Sequence, residues 1–248
     1  MGQVRIGTSG WAYADWNGPF YPDEVKAKDR LGYISRRFPT LEINASFYRM
    51  PTDQAVAAWR EQTPDGFLFA WKASRFITHN KKLKDPVEPL AFMFQRIAGL
   101  GDKIGPVLFQ LPPNLHRNDE RLETFLDALP VGHRIAVEFR HPGWYVEPVL
   151  AMLRARNIAL CISDHHHAPA PFERTADFIY LRGHGPGGHY HGRYGEPSLS
   201  DWATQINAWT GDGEVFVYFD NDIKSAAPAD ADQLIQILAR SDPAPAAL

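Results

Sequence analysis

The sequence predicts a single (β/α)₈ barrel, and three observations point to it. The chain has 248 residues, close to the roughly 250 that are typical of this fold as one domain. Short runs with the composition of β-strands follow one another along the chain, and apolar residues recur at helical spacing between most of them. This alternation favours parallel strands joined by helical crossovers, and the number of units favours a closed TIM barrel over an open sheet.

The strand-like runs are spread over almost the whole chain. They are residues 4–9, 41–48, 67–74, 106–111, 134–140, 158–164, 178–183 and 215–221. We see no linker or internal repeat that would divide the chain. We therefore assign residues 1–240 to one barrel domain and expect the proline- and alanine-rich residues 241–248 to form a flexible tail.

The segments between the strands repeat apolar residues every three or four positions, as amphipathic helices do. Thr52 and Ser200 are candidate N-caps, because their hydroxyl oxygens can accept from first-turn amides. The apolar stripes are Leu122, Phe125, Leu126 and Leu129; Val146, Val149, Leu150 and Leu153; Leu199, Trp202, Ile206 and Trp209; and Ala231, Leu234, Ile235 and Leu238.

Two connections depart from this pattern. Residues 165–172 read HHHAPAPF, which is too short and too rich in proline for a crossover helix. We expect a degenerate sixth helix there, reduced to a loop with at most a turn. Residues 183–197 form the opposite case, a long glycine-rich loop after the seventh strand.

The composition excludes several classes of protein. A net charge of −3 gives no overall attraction to nucleic acid or to an anionic membrane. Cys161 is the single cysteine and lies in an apolar run, so we expect a buried thiol and no intrachain disulfide. No apolar stretch approaches the roughly 20 residues that span a bilayer, and no signal-peptide pattern precedes the first strand. We expect a cytoplasmic protein with no membrane partner.

Polar side chains lie on one face of most strands, because side chains alternate across a strand. Helices must cover the outside of the barrel, so these polar faces point inward. Most of the charged residues come late in their strands, which places them at the carboxyl-terminal ends, here called the mouth, where barrel enzymes keep their active sites. The candidate site residues are Glu42, Asn44, Lys72, Gln110, Glu138, Arg140, Asp164, Arg182, His184 and Tyr218, with Trp11 after the first strand.

The leading interpretation is a site for a small anionic molecule. Lys72, Arg140 and Arg182 bring three cations to one mouth, and the glycines after the seventh strand allow backbone amides to approach an anion. Arg193 could close over the ligand from the same loop. Glu42 and Glu138 would then be the general acid and base. This predicts a hydrolase or a lyase acting on a phosphate-bearing or otherwise anionic substrate.

Three alternatives stay open from the residues alone. The histidines at 165–167, 184, 189 and 191 could bind a divalent metal. The positively charged side chains at the mouth would repel a metal cation, so we assign no metal or other cofactor. Glu42 and Glu138 could flank a glycosidic bond, with Trp11, Trp71 or Trp144 stacking on the sugar. The charged residues could also be ion pairs that only fill the top of the barrel.

A noncatalytic nucleic-acid-binding barrel is the runner-up from another class. It requires a basic stripe outside the pocket, and the candidate residues are scattered along the chain. They are Arg36, Arg37, Lys81, Lys82 and Lys84.

Long motifs in a fixed order give a resemblance that covers nearly the whole chain. They are GTSGW at 7–11, FYP at 20–22, LEINASFYR at 41–49, Lys72 with ITH at 77–79, FQLPP at 109–113, EFRHPGW at 138–144, YLRGHG at 180–185 and VYFDND at 217–222. The chain resembles the YecE-like family, also called domain of unknown function family 72.

The resemblance implies a TIM barrel and little about activity, because the family has no established function. A likeness of the family to endonuclease IV-type barrels has been suggested. By fold analogy alone, it implies nucleic acid as a possible ligand and a metal-dependent nuclease as a further alternative. The sequence departs from the family pattern at Asp220, where an asparagine is common, and at Lys224 and Ser225, where a glycine-containing turn is expected.

Overall fold

The computed structural model describes residues 2–211 and 213–241, and within them eight parallel strands surround a barrel. Their order around it is β1-β8-β7-β6-β5-β4-β3-β2, so each strand except β1 and β2 pairs with its neighbours in sequence. The predicted (β/α)₈ barrel is confirmed. The strands are β1 Val4–Thr8, β2 Thr40–Ile43, β3 Leu68–Lys72, β4 Ile104–Gln110, β5 Ile135–Glu138, β6 Ala159–Ser163, β7 Phe178–Gly183 and β8 Glu214–Phe219.

Helices connect most of the strands and cover the outside of the barrel. They are α1 Arg30–Ile34, α2 Ala45–Tyr48, α3 Asp53–Gln62, α4 Val87–Ile97, α5 Asp119–Asp127, α6 Glu147–Ala155, α7 Glu196–Trp209 and α8 Ala226–Ser241. The connection from β6 to β7, residues 164–177, contains no helix. In the described part of the chain, no helix is long and apolar enough to cross a membrane. Ser241 ends α8, and the rest of the predicted tail, residues 242–248, lies outside the described residues.

The two faces of the strands build two separate apolar clusters. Outward side chains such as Leu41 and Phe109 pack with the helices, where Leu122 of α5 is also fully buried. Inward side chains such as Ala136 and Cys161 fill the lower barrel, and Cys161 is buried as its apolar run predicts. Each large apolar side chain buried in this way contributes about 1.5–3 kcal/mol. This packing holds the strands whose carboxyl ends carry the polar side chains.

The second strand is shorter than the sequence predicts. Residues 41–48 were expected to be extended, but β2 ends at Ile43 and Asn44 takes helical angles before α2. The hydroxyl of Ser46 stabilises this turn, because it donates to the carbonyl of Ile43 at 2.9 Å and to that of Lys72 at 2.6 Å. Asn44 therefore lies on the turn above β2, at the mouth.

The N-cap prediction is confirmed at Thr52 and wrong at Ser200. The hydroxyl of Thr52 accepts from the amide of Ala55 at 3.2 Å. Helix α7 already begins at Glu196, so Ser200 lies inside it. Pro197 in the first turn accounts for the earlier start, because its fixed backbone angle suits a helix beginning.

The junction between β1 and β2 closes the barrel through a single bridge between Ser9 and Glu42. The amide of Gly10 donates to the carbonyl of Glu42 at 2.8 Å. A Cβ on Gly7 would lie 1.9 Å from the carbonyl oxygen of Thr40. A glycine at position 7 thus lets the first strand approach the second, and this approach brings Glu42 to the cluster described next.

Candidate functional site at the barrel mouth

Arg182, at the end of β7, is the centre of a buried charged cluster. Its guanidinium donates to both oxygens of Glu42 at 2.8 and 3.1 Å, to Glu138 at 3.0 Å and to Asp220 at 2.7 Å. Ser9 Oγ and His184 Nε2 lie at 3.1 Å as further acceptors. A guanidinium has five N–H donors, so Arg182 is saturated by protein groups. It is also 0% exposed, which leaves it unable to contact a ligand directly.

The carboxylates of Glu42 and Glu138 are fixed in their charged state. Both are fully buried, and burial alone would raise their pKa values. The charges of Arg182 and Lys72 outweigh burial at Glu42 and lower its pKa, and those of Arg140 and Arg182 do the same at Glu138. Carboxylates held in this state are poor proton donors. Their geometry suits the positioning of Arg182 better than the acid–base role that the sequence suggested.

Arg140 keeps part of its hydrogen-bonding capacity. Its Nε donates to Glu138, its Nη1 to the hydroxyl of Tyr190 at 2.7 Å and its Nη2 to His184 Nε2 at 3.0 Å. Among the described residues, these contacts use three of the five N–H donors. Tyr190 belongs to the glycine-rich loop after β7, and its phenol covers Arg140 from the solvent side. A ligand that displaced Tyr190 would reach a guanidinium with free donors.

His184 is neutral, and its tautomer follows from its neighbours. Arg140 and Arg182 can only donate, so Nε2 accepts and the ring proton lies on Nδ1, which faces Asp164 at 3.2 Å. Burial first, and then the charge of Arg182, lower the pKa of His184 well below its ordinary value. Asp164 also accepts from Tyr194. Burial raises the pKa of Asp164 to about 6.

Lys72, at the end of β3, differs from the other cations. Its side chain is 8% exposed, and its Nζ has no hydrogen bond or ion pair within the described ranges 2–211 and 213–241. Its nearest identified neighbour is the ring of Phe47, whose centroid lies 4.8 Å away. Burial and the charge of Arg182 lower the pKa of Lys72, and the more distant carboxylates only partly oppose this. Lys72 is a buried amine with no fixed partner.

Two side chains near the end of β8 have an acceptor oxygen without a donor in the described residues. Asn44 Nδ2 lies 3.5 Å from Asp220, while Asn44 Oδ1 and Asp222 Oδ1 are buried and accept no hydrogen bond from residues 2–211 or 213–241. The hydroxyl of Tyr13, which lies beside both side chains, donates to the carbonyl of Ser9 at 2.7 Å. Burial, and then the charge of Asp220, raise the pKa of Asp222 to about 8. Asp222 was not among the predicted site residues, although it ends the VYFDND motif, which was the available signal.

The remaining predicted residues lie around or away from this cluster. Gln110 lies at the rim, 8% exposed, with its amide on the carbonyl of Leu111 at 3.2 Å. Tyr218 lies one layer deeper, and its hydroxyl pairs with that of Thr40 at 2.7 Å. The structure does not bring Trp11 to the cluster. Its indole packs outside the strands, against Trp59 and Phe69.

The proposed sugar platforms are core residues. Trp71 and Trp144 are each 1% exposed, and Trp144 stacks on Phe139. Trp11 is also part of the layer between strands and helices. Glu42 and Glu138 both pair with Arg182, so neither carboxylate is free to flank a glycosidic bond. This geometry argues against a glycoside hydrolase.

The histidines after β6 and β7 stack on one another. The rings of His166 and His189 are 4.0 Å apart, and those of His165 and His166 are 4.3 Å apart. Across the described residues, no group of three or more His, Cys, Asp or Glu side chains is arranged to hold a metal ion. Arg193 was expected to close over the ligand. Its guanidinium instead faces Asp230, at 3.3 Å, and the adjacent α8.

The basic residues required by a nucleic-acid-binding surface are divided. Arg36 and Arg37 precede β2, whereas residues 81–84 follow β3, so the two groups lie at opposite ends of the barrel. Arg37 pairs with Asp232 at 2.8 Å. These positions do not form one basic stripe.

A cleft of about 790 Å³ opens at the amino-terminal end of the barrel. Its arginines are already paired, Arg134 with Glu214 and Arg156 with Glu123 and Asp127. The side chains with unused hydrogen-bonding capacity, and the titratable groups discussed above whose pKa values are shifted, lie at the mouth instead. We therefore place the candidate functional site at the mouth.

Comparison with known proteins gives one consistent result. A family model described as "Protein of unknown function DUF72" matches residues 5–247. The UPF0759 protein YunF of Bacillus subtilis (strain 168) is 25% identical over 273 residues, with 95% of this chain and 94% of YunF covered. The UPF0759 protein YecE of Escherichia coli (strain K12) is 31% identical over 150 residues. That match covers 58% of this chain, which spans about half (51%) of YecE.

Solved structures agree with the fold. A DUF72 family protein from Thermotoga maritima MSB8 superposes with a TM-score of 0.88 at 27% identity, covering 96% of this chain and 99% of that one. A DUF72 family protein from Enterococcus faecalis V583 gives 0.82 at 19% identity, covering 99% and 100%. None of these descriptions states an activity.

Replacing Arg182 should strongly destabilise the fold. In Arg182→Met, three buried carboxylates lose their shared cation, so we expect a loss of about 3–5 kcal/mol in the free energy of unfolding. Urea denaturation measures it. Arg154→Met is the matched control, because Arg154 forms exposed pairs with Glu147 and Glu173 and should lose less than about 1 kcal/mol. Equal losses in the two variants would show that Arg182 does not organise the mouth.

Asp222 should make stability depend on pH. Its pKa is raised from 3.8 to about 8 in the folded protein, so the folded state holds a proton that the unfolded chain has lost, and stability falls as the pH rises through that window. Asp222→Asn stays uncharged, so its stability relative to the wild type should increase between about pH 4 and about pH 8. Thermal unfolding checks this, with the exposed Asp23→Asn as control. A difference from wild type that does not change with pH would contradict it.

Proposed function

The chain belongs to the DUF72 family of proteins of unknown function, and we propose that it is an enzyme whose small anionic substrate binds at the barrel mouth. The observation that carries this proposal is Lys72, a buried cation without an ion pair in the described part of the chain. Burying an unpaired charge is unfavourable, and an arriving anion would relieve that cost. Arg140 supports the same function through the N–H donors that its neighbours leave free.

The proposal assigns the anion to different cations than the sequence alone did. Arg182 is saturated by Glu42, Glu138 and Asp220, so its role is to hold those carboxylates. Lys72 and Arg140 are the groups with capacity for a carboxylate or phosphate oxygen. Tyr190 covers Arg140, so substrate binding would include movement of the loop after β7.

Two side chains at the mouth have pKa values that are shifted toward neutral pH, and they support a catalytic role in addition to binding. Burial and Arg182 lower the pKa of Lys72, and burial raises that of Asp222 to about 8. Titratable groups whose pKa values are shifted in opposite directions are typical of acid–base sites. Hydrolysis and lyase chemistry both require such proton transfers. In this proposal Asp222 is the proton donor, and Glu42 and Glu138 are the fixed charges.

Replacing Lys72 tests the proposal. We expect Lys72→Met to weaken binding of inorganic phosphate at least about tenfold, because the variant removes the uncommitted cation. Isothermal titration calorimetry measures the affinity. The fold should be retained, since methionine has a similar length and is apolar. Lys84→Met, at an exposed lysine after β3, should bind phosphate as the wild type does. Unchanged affinity in Lys72→Met would contradict the proposal.

The same titrations distinguish the nucleic-acid alternative. A nucleic-acid-binding barrel should bind a duplex oligonucleotide with an affinity that falls steeply with salt. It should respond to loss of exposed lysines such as Lys84 as much as to loss of Lys72. Phosphate binding that depends on Lys72, without oligonucleotide binding, favours the small-molecule enzyme.

A further inference from the structure

We propose that Lys72 is a nucleophile that forms an imine with a small carbonyl compound bearing a carboxylate or a phosphate. This inference rests on the proposed function, because it needs the anionic group to bind at the mouth. It goes further by naming the reactive atom, Lys72 Nζ, and the class of substrate. It also selects lyase chemistry over hydrolysis.

A second buried lysine in the same chain shows what a structural lysine looks like. Lys103 is 5% exposed, and its Nζ donates to the carbonyls of Arg60 at 2.7 Å and Thr63 at 2.5 Å and to the Thr63 hydroxyl at 3.0 Å. Lys72 is buried to a similar degree without any such acceptor in residues 2–211 and 213–241. The donors of the Lys72 ammonium are therefore left to solvent or to a ligand.

The surroundings of Lys72 lower the pKa of its ammonium, so the neutral, nucleophilic amine forms at lower pH than at an exposed lysine. Burial lowers its pKa first, and the Arg182 guanidinium lowers it further, against the opposing charges of Asp220, Glu42 and Glu138. Desolvation next to a second cation is a known way to activate a lysine for attack on a carbonyl. The ring of Phe47 packs beside the amine, with its centroid 4.8 Å from Lys72 Nζ.

A neutral histidine contacts the same aromatic ring as Lys72. The rings of His79 and Phe47 are 5.0 Å apart, so Phe47 contacts both Lys72 and His79. Burial, and then the charges of Lys72 and Arg140, lower the pKa of His79 to about 4. An imidazole that is unprotonated at neutral pH can act as a base. Arg140, with its permanent charge, is the group that would hold the anionic end of the substrate.

The reaction balances without a cofactor. The lone pair of Nζ attacks the carbonyl carbon, the electrons of the C=O bond move to the oxygen, and that oxygen takes up a proton. The nitrogen then loses a proton, and the oxygen leaves as water after taking a second proton. The sum is amine plus carbonyl compound giving imine plus water. When protonated, the imine withdraws electrons from the neighbouring carbon, which favours cleavage of a C–C or C–H bond there.

Reductive trapping tests the inference on the full chain. The protein is incubated with pyruvate, or with dihydroxyacetone phosphate, and sodium cyanoborohydride, and the adducts are located by peptide mass spectrometry. We expect a mass gain equal to the carbonyl compound less one oxygen atom at Lys72, about tenfold or more above that at exposed Lys84. Lys72→Arg should retain phosphate binding and lose the adduct, because arginine keeps the charge but has no nucleophilic amine at this pH.

A second probe, formaldehyde, tests the reactivity of Lys72 without requiring that a particular substrate fits the site. Formaldehyde with cyanoborohydride methylates any accessible neutral amine, and the pH at which Lys72 reaches half its maximal rate should lie below that of Lys84. Methylation of Lys72 with the same pH dependence as Lys84, or adducts spread evenly over exposed lysines, would overturn the imine. If phosphate binding still depends on Lys72 in that case, the proposed function stands without it. If phosphate binding is also independent of Lys72, both proposals fail.

Discussion

The structure of the mouth depends on one interaction, the contact of a fully buried arginine with three carboxylates from different strands. Arg182 of β7 joins Glu42 of β2, Glu138 of β5 and Asp220 after β8. A guanidinium removed from water is stable only when its donors and its charge are satisfied. The cluster therefore constrains how far apart these strands can lie, and it ties β2, at the barrel junction beside Gly7, to the far side of the barrel.

The saturation of Arg182 decides what the other cations can do. The three carboxylates bind Arg182 and only partly offset the lowering of the Lys72 pKa by burial and Arg182. Within the described residues, Lys72 Nζ contacts an aromatic face and has no acceptor. Arg140 shares Glu138 with Arg182 and keeps donors in reserve beneath Tyr190. The ion cluster around Arg182 and the amine of Lys72, which has no ion pair in the described residues, thus both follow from how these charges are arranged at the mouth. The enzyme proposal and the imine inference both depend on this division of roles.

Much of the barrel and of its polar face is predictable from sequence, because both follow from short-range periodicity. The alternation of strands and helices predicts the fold, and the two-residue period puts Glu42, Glu138 and Arg182 on the inner face. The two-residue period does not predict which charged side chains of distant strands contact one another. The saturation of Arg182, the isolation of Lys72 and the displacement of Trp11 to the outer layer all depend on distances across the barrel. The early end of β2 was missed because residues 44–48 continue an alternating pattern, while the hydroxyl of Ser46 favours a turn.

Both proposals require that Lys72, which has no hydrogen bond or ion pair in the described residues, is available to a ligand at the mouth. An NMR titration of lysines labelled with ¹³C at Cε measures this most directly, with Lys72→Arg identifying its signal. Lys72 should titrate below the exposed lysines, and inorganic phosphate should move its midpoint upward, because an anion favours the charged form. A midpoint equal to that of the exposed lysines, unchanged by phosphate, would show that Lys72 is an ordinary lysine that does not bind the anion.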